Sequence, residues 1–259
     1  MVRRGMAATR AQARALVLAG EVSVDGRRAE KPGAAVAPDA EIMLAERPRY
    51  VSRGGEKLDH AMVELGVSVA GEDVCDLGSS TGGFVDRLLQ GGAHAVAAVD
   101  VGYGQLDWRL REDPRVTVLE RMNARHVTRD RLPFAPSFVT ADVSFISLTL
   151  VLGPVLECAR AGYRGLVLVK PQFEAGRRHV GKGGVVRDRA VQQAVLRRIG
   201  EWVEARGAAV LGMCDSGHPG PKGNVEYFVY FCDGAHPAAA ARVAPAAAAQ
   251  AAVEGVHGG

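Results

Sequence analysis

From residue 74 onward the chain alternates two kinds of apolar segment. Short continuous apolar runs, most of them ended by a polar residue, take turns with stretches whose apolar positions recur at helical spacing. The first run, 74–77, is followed by a helical pattern over about 83–91, with Phe84, Leu88 and Leu89 at i, i+4 and i+5. Ala95–Val99 ends in Asp100, and a helix near 106–111 leads to Val116–Leu119. Phe138–Ala141 ends in Asp142, and a helix near 148–159 leads to 166–169, which ends in Lys170-Pro171. A long helix over about 188–206 precedes runs 210–214 and 227–231, read as an antiparallel pair. Continuous apolar runs suit strands covered on both faces. The strand–helix rhythm therefore predicts an α/β fold, a mostly parallel sheet with helices on both sides.

The first fifty residues have a finer grain. Thr9 is placed as an N-cap, with Gln12 three residues on in the capping-box position. Ala13, Leu16 and Val17 share one helix face, and Gly20 is placed to end it. Val22-Ser23-Val24 alternates as a strand, Asp25-Gly26 signals a hairpin turn, and Ile42-Met43-Leu44 reads as another strand. This predicts a small α+β module over 1–46 and a linker over 47–56, where Pro48 and Gly54-Gly55 break regular structure. The α/β domain runs over 57–233, opening on a helix marked by Leu58, Ala61, Met62 and Leu65. The Ala-, Pro- and Gly-rich segment 234–259 is expected to be a disordered tail.

Net charge is only +3 over 259 residues, so no global polycation argument applies. The charge is uneven, however. Arg3, Arg4, Arg10 and Arg14 fall among the first twenty residues, and Arg47, Arg49, Arg53 and Lys57 form a second basic run, the usual footprint of phosphate binding. The four cysteines (Cys75, Cys158, Cys214 and Cys232) form no C-x-x-C pair, which argues against zinc and fits a reducing cytoplasm. No apolar stretch is long enough to span a bilayer, and Met1-Val2-Arg3-Arg4-Gly5 leads into no signal-peptide core.

The candidate chemistry gathers at strand ends. Asp76-Leu77-Gly78-Ser79-Ser80-Thr81-Gly82-Gly83-Phe84 reads as strand, tight loop and helix start, placed where open α/β sheets bind ligands. A dinucleotide fingerprint fails at Ser80, where it needs glycine. The pattern suits a nucleoside cofactor without pyrophosphate, for which S-adenosylmethionine is the candidate. Asp100 lies 22 residues past Gly78, where a carboxylate takes ribose hydroxyls. Val101 follows it, and Asn123 stands where an amide could read an adenine edge. Asp142 and Lys170 end neighbouring apolar runs, and a lysine at a buried strand end calls for such a partner.

Two resemblances go further. Val2-Arg3-Arg4-Gly5, Arg10-x-x-Ala13-x-x-Leu16-Val17-x-x-Gly20-x-Val22-x-Val24-Asp25-Gly26 and Lys31-Pro32 resemble an S4 RNA-binding module. The chain starts after the helical turn that usually opens such modules. Lys57 in Ser52-Arg53-Gly54-Gly55-Glu56-Lys57, Asp142 in Ala141-Asp142-Val143-Ser144-Phe145, Lys170 in Val169-Lys170-Pro171-Gln172 and Glu226 in Gly223-Asn224-Val225-Glu226-Tyr227 resemble the Lys-Asp-Lys-Glu tetrad of FtsJ-related ribose 2′-O-methyltransferases. Together with Val99-Asp100-Val101-Gly102-Tyr103-Gly104-Gln105-Leu106 and Asp113-Pro114-Arg115-Val116, the chain is similar to the haemolysin A-like (TlyA) rRNA methyltransferases from Val2 to about Phe231.

The resemblance implies a Rossmann-like class I methyltransferase domain with a seven-stranded sheet beside an S4-like domain. It implies S-adenosylmethionine-dependent 2′-O-methylation of cytidine in 16S and/or 23S rRNA, with effects on capreomycin and viomycin sensitivity. The short N-terminus resembles family members associated with 23S rRNA alone. The implied catalytic set is Lys57, Asp142, Lys170 and Glu226. Asp76, Gly78, Ser79, Ser80, Thr81, Gly82, Gly83, Phe84, Asp100, Val101, Asn123 and Asp142 form the implied cofactor site. RNA contacts are expected from Arg3, Arg4, Arg10, Arg14, Arg53, Arg177, Arg178 and Lys182, the last three on a Gly-rich loop read as a mobile flap. Ribosomal subunits are the expected partners of a cytoplasmic monomer with no metal and no membrane. The alternatives are a non-catalytic RNA-binding or ribosome-assembly factor, which an intact tetrad argues against, and a haemolysin, for which no strongly amphipathic membrane segment is visible.

Overall fold

The computed structural model describes residues 1–44 and 48–256, in two units covering 1–49 and 50–259. Arg47 of the expected linker, the last residues of the expected 1–46 module and the final three residues of the expected tail lie outside the described residues. In the first unit a 3-10 turn at Val2–Arg4 precedes α1 (Arg10–Ala19), β1 (Val22–Val24), β2 (Arg27–Arg28) and β3 (Ile42–Leu44). The strands form an antiparallel sheet of order β2-β1-β3. Thr9 Oγ1 accepts the Gln12 N–H at 3.1 Å, Gln12 Oε1 accepts from Ala8 N at 2.8 Å, and Gly20 ends α1 in the left-handed region. Asp25 and Gly26, at φ 50° and 76°, make the primed turn their sequence predicts. Ala7, Leu16 and Val22 are the buried centre of this unit.

The second unit contains α2 (Arg53–Glu64), β4 (Asp73–Leu77), α3 (Gly83–Gln90), β5 (Ala95–Val99), α4 (Trp108–Arg111) and β6 (Val116–Leu119). There follow β7 (Phe138–Ala141), α5 (Leu148–Cys158), β8 (Arg164–Val169), α6 (Pro171–Glu174), α7 (Arg189–Glu204), β9 (Ala208–Asp215), β10 (Tyr227–Asp233) and α8 (Pro245–Glu254). Seven strands form one sheet of order β6-β5-β4-β7-β8-β10-β9. The first five are parallel, and β10 runs antiparallel to both β8 and β9.

Side chains alternate between the two faces of a strand, and here both faces are apolar. Val74, Phe138, Leu166, Leu168 and Phe228 pack with Leu58 and Met62 of α2 and Phe84 and Leu88 of α3. Cys75, Leu77, Val139, Val167 and Phe231 pack with α5, α7 and α8 on the other face.

Two expectations need correction. The tail is not disordered over its described length. Helix α8 buries Ala248, Ala249, Ala252 and Val253 against α7 and β9. Small side chains let two helices approach, and a β-carbon at Gly200 of α7 would fall 2.7 Å from Pro245 Cβ. The expected linker 47–56 is also partly helical, since α2 begins at Arg53. Gly54-Gly55 is not a flexible joint there. A β-carbon at Gly55 would lie 2.3 Å from the Tyr50 ring, and one at Gly83 would lie 2.8 Å from Gly55 N. These glycines let the first turn of α2 lie against the start of α3.

Candidate active site

The glycine loop occupies the turn from β4 into α3. Gly78 has φ 82°, and a β-carbon there would meet the Asp142 carbonyl oxygen at 2.5 Å, so the loop and the end of β7 touch through backbone. Asp142 N also donates to Leu77 O at 2.9 Å. Gly82, at φ 97°, makes room for Leu106 and Leu110. Its amide donates to Ser79 O, and Thr81 O accepts from Asp107 N. Ser80 takes φ 47°, a left-handed conformation that strains a residue with a side chain. Phe84 turns inward onto Phe228, the ring centres 5.9 Å apart.

Three carboxylates surround this loop. Asp100 accepts from Ser80 N at 2.8 Å and Gly102 N at 2.6 Å, which ties the ends of β4 and β5 together. Asp76 is fully buried. Its Oδ1 accepts from Thr140 Oγ1 at 2.6 Å, and its Oδ2 has no hydrogen-bond partner. Burial, with help from the charges of Asp142 and Asp100, pushes the Asp76 carboxyl up to about 7 against the opposing Thr140 bond. Converging carboxylates and an orphaned buried oxygen fit a ligand that carries positive charge, as a sulfonium with an α-ammonium does. Val101 is exposed beside Asp100. Asn123 follows β6, and its side-chain oxygen accepts from Arg125 N.

The four charged residues expected as a tetrad form two ion pairs. Lys57 Nζ, on α2, donates to Glu226 Oε2 at 2.6 Å, and both side chains are buried. Lys170 Nζ, at the end of β8, lies 2.5 Å from Asp142 Oδ1 and donates to Ser144 Oγ at 2.9 Å. Gln172, on the short helix that follows Lys170, adds to the first pair: its Nε2 donates to Glu226 Oε1 at 3.1 Å. Gly220 leaves space for the Glu226 carboxylate, which a β-carbon there would meet at 2.3 Å. Sequence reasoning did not single out Gln172, because its role depends on a contact across 54 residues.

Phe145 was also missed. It is 90% exposed at φ 65°, with its ring centre 4.9 Å from Phe173. With Gln172, Gly176, Arg177 and Val180 these rings bound a groove of about 470 Å³, and Ser144, the residue before Phe145, accepts from Lys170. No sequence signal marks it: the exposed ring on a strained backbone shows only in the fold.

The expected RNA-contact residues divide. Arg3, Arg10 and Arg14 are exposed around a groove of the first unit, whereas Arg4 donates to Ala40 O and Pro38 O and so holds that unit's own backbone. Arg53, Arg177, Arg178 and Lys182 are exposed in the second unit, with Arg178 Nε bonded to His179 Nε2. The far end of the expected flap is tied down, since Gly184 and Val186 are hydrogen-bonded to Asn224. Among the described residues no cluster of His, Cys, Asp or Glu is placed to hold a metal ion, and no helix is long and apolar enough to cross a membrane.

Comparison with known proteins agrees with this architecture. The FtsJ-like methyltransferase model matches residues 50–232, and the S4 domain model matches 1–42. The chain is 45% identical over 233 residues to the 16S/23S rRNA (cytidine-2′-O)-methyltransferase TlyA of Mycobacterium tuberculosis, covering 89% of this chain and 87% of that one. It is 37% identical over 228 residues to Hemolysin A of Brachyspira hyodysenteriae, covering 88% and 95%. A solved hemolysin chain from Streptococcus thermophilus superposes with a TM-score of 0.75 at 38% identity, over 97% of this chain and 91% of that one. The chain thus belongs to the FtsJ-like methyltransferases, in the S4-bearing branch that includes TlyA and hemolysin A.

Proposed function

We propose that the protein methylates the ribose 2′-hydroxyl of cytidine in ribosomal RNA, 23S, 16S or both, with S-adenosylmethionine as methyl donor, in the cytoplasm. The observation that carries this reading is the pair of ion pairs, Lys57–Glu226 and Lys170–Asp142, with Asp142 against Gly78 of the cofactor loop and Gln172, two residues past Lys170, bonded to Glu226. The bound donor supplies an electrophilic methyl group on a sulfonium. Gly78 to Gly82 would hold it with Asp76, Asp100, Val101 and Asn123, and the three carboxylates suit its charge, whereas the Phe84 ring, expected in this set, is buried against Phe228 and supports the loop from behind.

Lys170 faces the reacting oxygen. An ammonium has three donors; Ser144 Oγ accepts from one, and Asp142 lies beside the ammonium as its ion-pair partner, so a donor is left for the ribose 2′-oxygen. There it would stabilise the charge that develops on the oxygen as the O–C bond forms and the S–C bond breaks, the thioether leaving and the hydroxyl proton passing to water. Lys57 and Glu226, locked together out of water, fix the far side of the ribose pocket. Phe145 and Phe173 present aromatic faces on which a base can stack. The S4 unit adds RNA affinity through Arg3, Arg10 and Arg14.

The test is methyl transfer from labelled donor to separated 30S and 50S subunits, with the product nucleotide mapped. Lys170→Ala should lower kcat by about 10²–10⁴-fold while donor binding persists. Unchanged methyl transfer by that variant would sink the mechanism. RNA binding without methylation by the wild type would favour an assembly factor.

A further inference from the structure

The face of β10 opposite the Lys57–Glu226 pair carries a cavity that the methyl-transfer site does not use. Its wall is a continuous run of hydrogen bonds. Tyr227 OH donates to Gln192 Oε1 at 2.7 Å, and Gln192 Nε2 donates to Val186 O at 2.8 Å. Val186 N donates to Asn224 Oδ1 at 3.0 Å, and Asn224 Nδ2 donates to Gly184 O at 2.9 Å. Tyr227, Gln192 and Asn224 are buried, so these bonds lie out of water and fix residues 184–186 to α7 and β10.

Against this wall lies a pocket of about 320 Å³ whose charged lining is Arg187, Arg189 and Lys222. Lys222 is held at φ 68°, and a β-carbon at Gly184 would lie 3.9 Å from its Nζ, so the ammonium leans over the fixed loop. None of these three cations takes part in an ion pair among the described residues. The one carboxylate in the same stretch, Asp188, caps α7 by accepting from Ala190 N. Arg187 and Arg189 are exposed at the mouth. Three unpaired cations on a rigid, otherwise largely apolar pocket suit a phosphodiester, which they contact by charge and not by base identity.

We propose that Arg187, Arg189 and Lys222 form a phosphate-binding pocket that grips the RNA backbone beside the target nucleotide, across β10 from Lys57 and Glu226. This rests on the RNA-methyltransferase reading above. Glu226 and Tyr227 are consecutive and face opposite sides of the sheet, so one strand of RNA crossing the end of β10 meets both sites. The pocket then sets the register of the chain while the tetrad receives the ribose.

The test measures binding to whichever ribosomal subunit the wild type methylates, over a NaCl series, for the wild type and for Arg187→Gln/Arg189→Gln. The variant's log K against log salt should be shallower by about 0.7–0.9 for each phosphate left without its cation, and KM for the subunit should rise. Arg187→Lys/Arg189→Lys should restore the slope, which a packing role would not require. Calorimetry with donor alone reports that each variant is folded; if the double variant fails it, Arg187→Gln, with its exposed side chain, supplies the slope. An unchanged slope with wild-type methylation intact overturns the pocket and leaves the activity standing. A wild type that methylates neither subunit overturns the activity instead.

Discussion

Asp76→Asn should stabilise the donor-free protein at pH 8 and change it little at pH 4. Asp76 is fully buried, Oδ2 has no partner, and the carboxyl is pushed from 3.8 to about 7 by burial and by the charges of Asp142 and Asp100. Below 3.8 the group is protonated in both folded and unfolded chains, and its full contribution is present. Between 3.8 and 7 the unfolded chain gives up the proton and the folded one keeps it. Stability therefore falls as pH rises and levels off above about 7. At about 1.4 kcal/mol per unit, the total loss is on the order of 4 kcal/mol, more than half of it between pH 5 and pH 8. Asparagine keeps an oxygen for Thr140 and cannot ionise, so it escapes the loss, and comparing the two proteins cancels the other titrating groups. Urea unfolding of both at pH 5 and pH 8 reads the effect. A stability difference that is the same at the two pH values would refute the reasoning, because Asp76 would then not titrate in this window.

The remaining predictions address packing and the ion pairs. Gly83→Ala places a β-carbon 2.3 Å from Ser52 Oγ and 2.8 Å from Gly55 N; it should cost about 1–3 kcal/mol, read by urea unfolding, and a neutral result would mean the α2–α3 contact yields freely. Lys57→Met leaves Glu226 buried without its cation and should cost about 3–5 kcal/mol, and adding Glu226→Leu should recover most of that; a double variant as unstable as the single one contradicts the pairing. Gln172→Ala should lower kcat by about tenfold to a hundredfold through loosened geometry with donor affinity retained, and equal kcat would remove Gln172 from the site. Ala249→Leu, at a fully buried position of α8, should destabilise by about 1–3 kcal/mol, whereas a free tail would accept it without change.

Most of the parallel strands were legible because they are covered on both faces and so read as short runs dominated by apolar residues, although the buried Asp76 and Thr140 interrupt β4 and β7. Asp100, Asp142 and Lys170 mark their ends because the chain can keep a charge only where strand gives way to solvent or to a partner. Placement of β10 between β8 and β9 was not legible, since pairing register depends on residues far apart in the chain. The same limit hid Gln172, and it hid Glu174, whose carboxylate accepts from Leu148 N and Ser147 Oγ at the start of α5.

Helix α8 failed for a different reason. Alanine favours helix as readily as it fills low-complexity segments, so composition alone could not separate a frayed tail from a packed helix. The deciding residue lies elsewhere in the chain, at Gly200, where a missing β-carbon admits Pro245. Phe145 shows the converse. Its apolar side chain, in Ser144-Phe145-Ile146, predicts burial, yet the backbone turns it outward at φ 65° beside Lys170. A hydrophobic residue held against its preference for the interior costs stability, and the fold tolerates that at the groove Phe145 shares with Phe173. Three of the positions where local sequence preference and structure disagree, Ser80, Phe145 and Lys222, fall on the glycine loop, the Phe145–Phe173 groove and the proposed phosphate pocket, whereas Arg121, at φ 54°, lies on none of them.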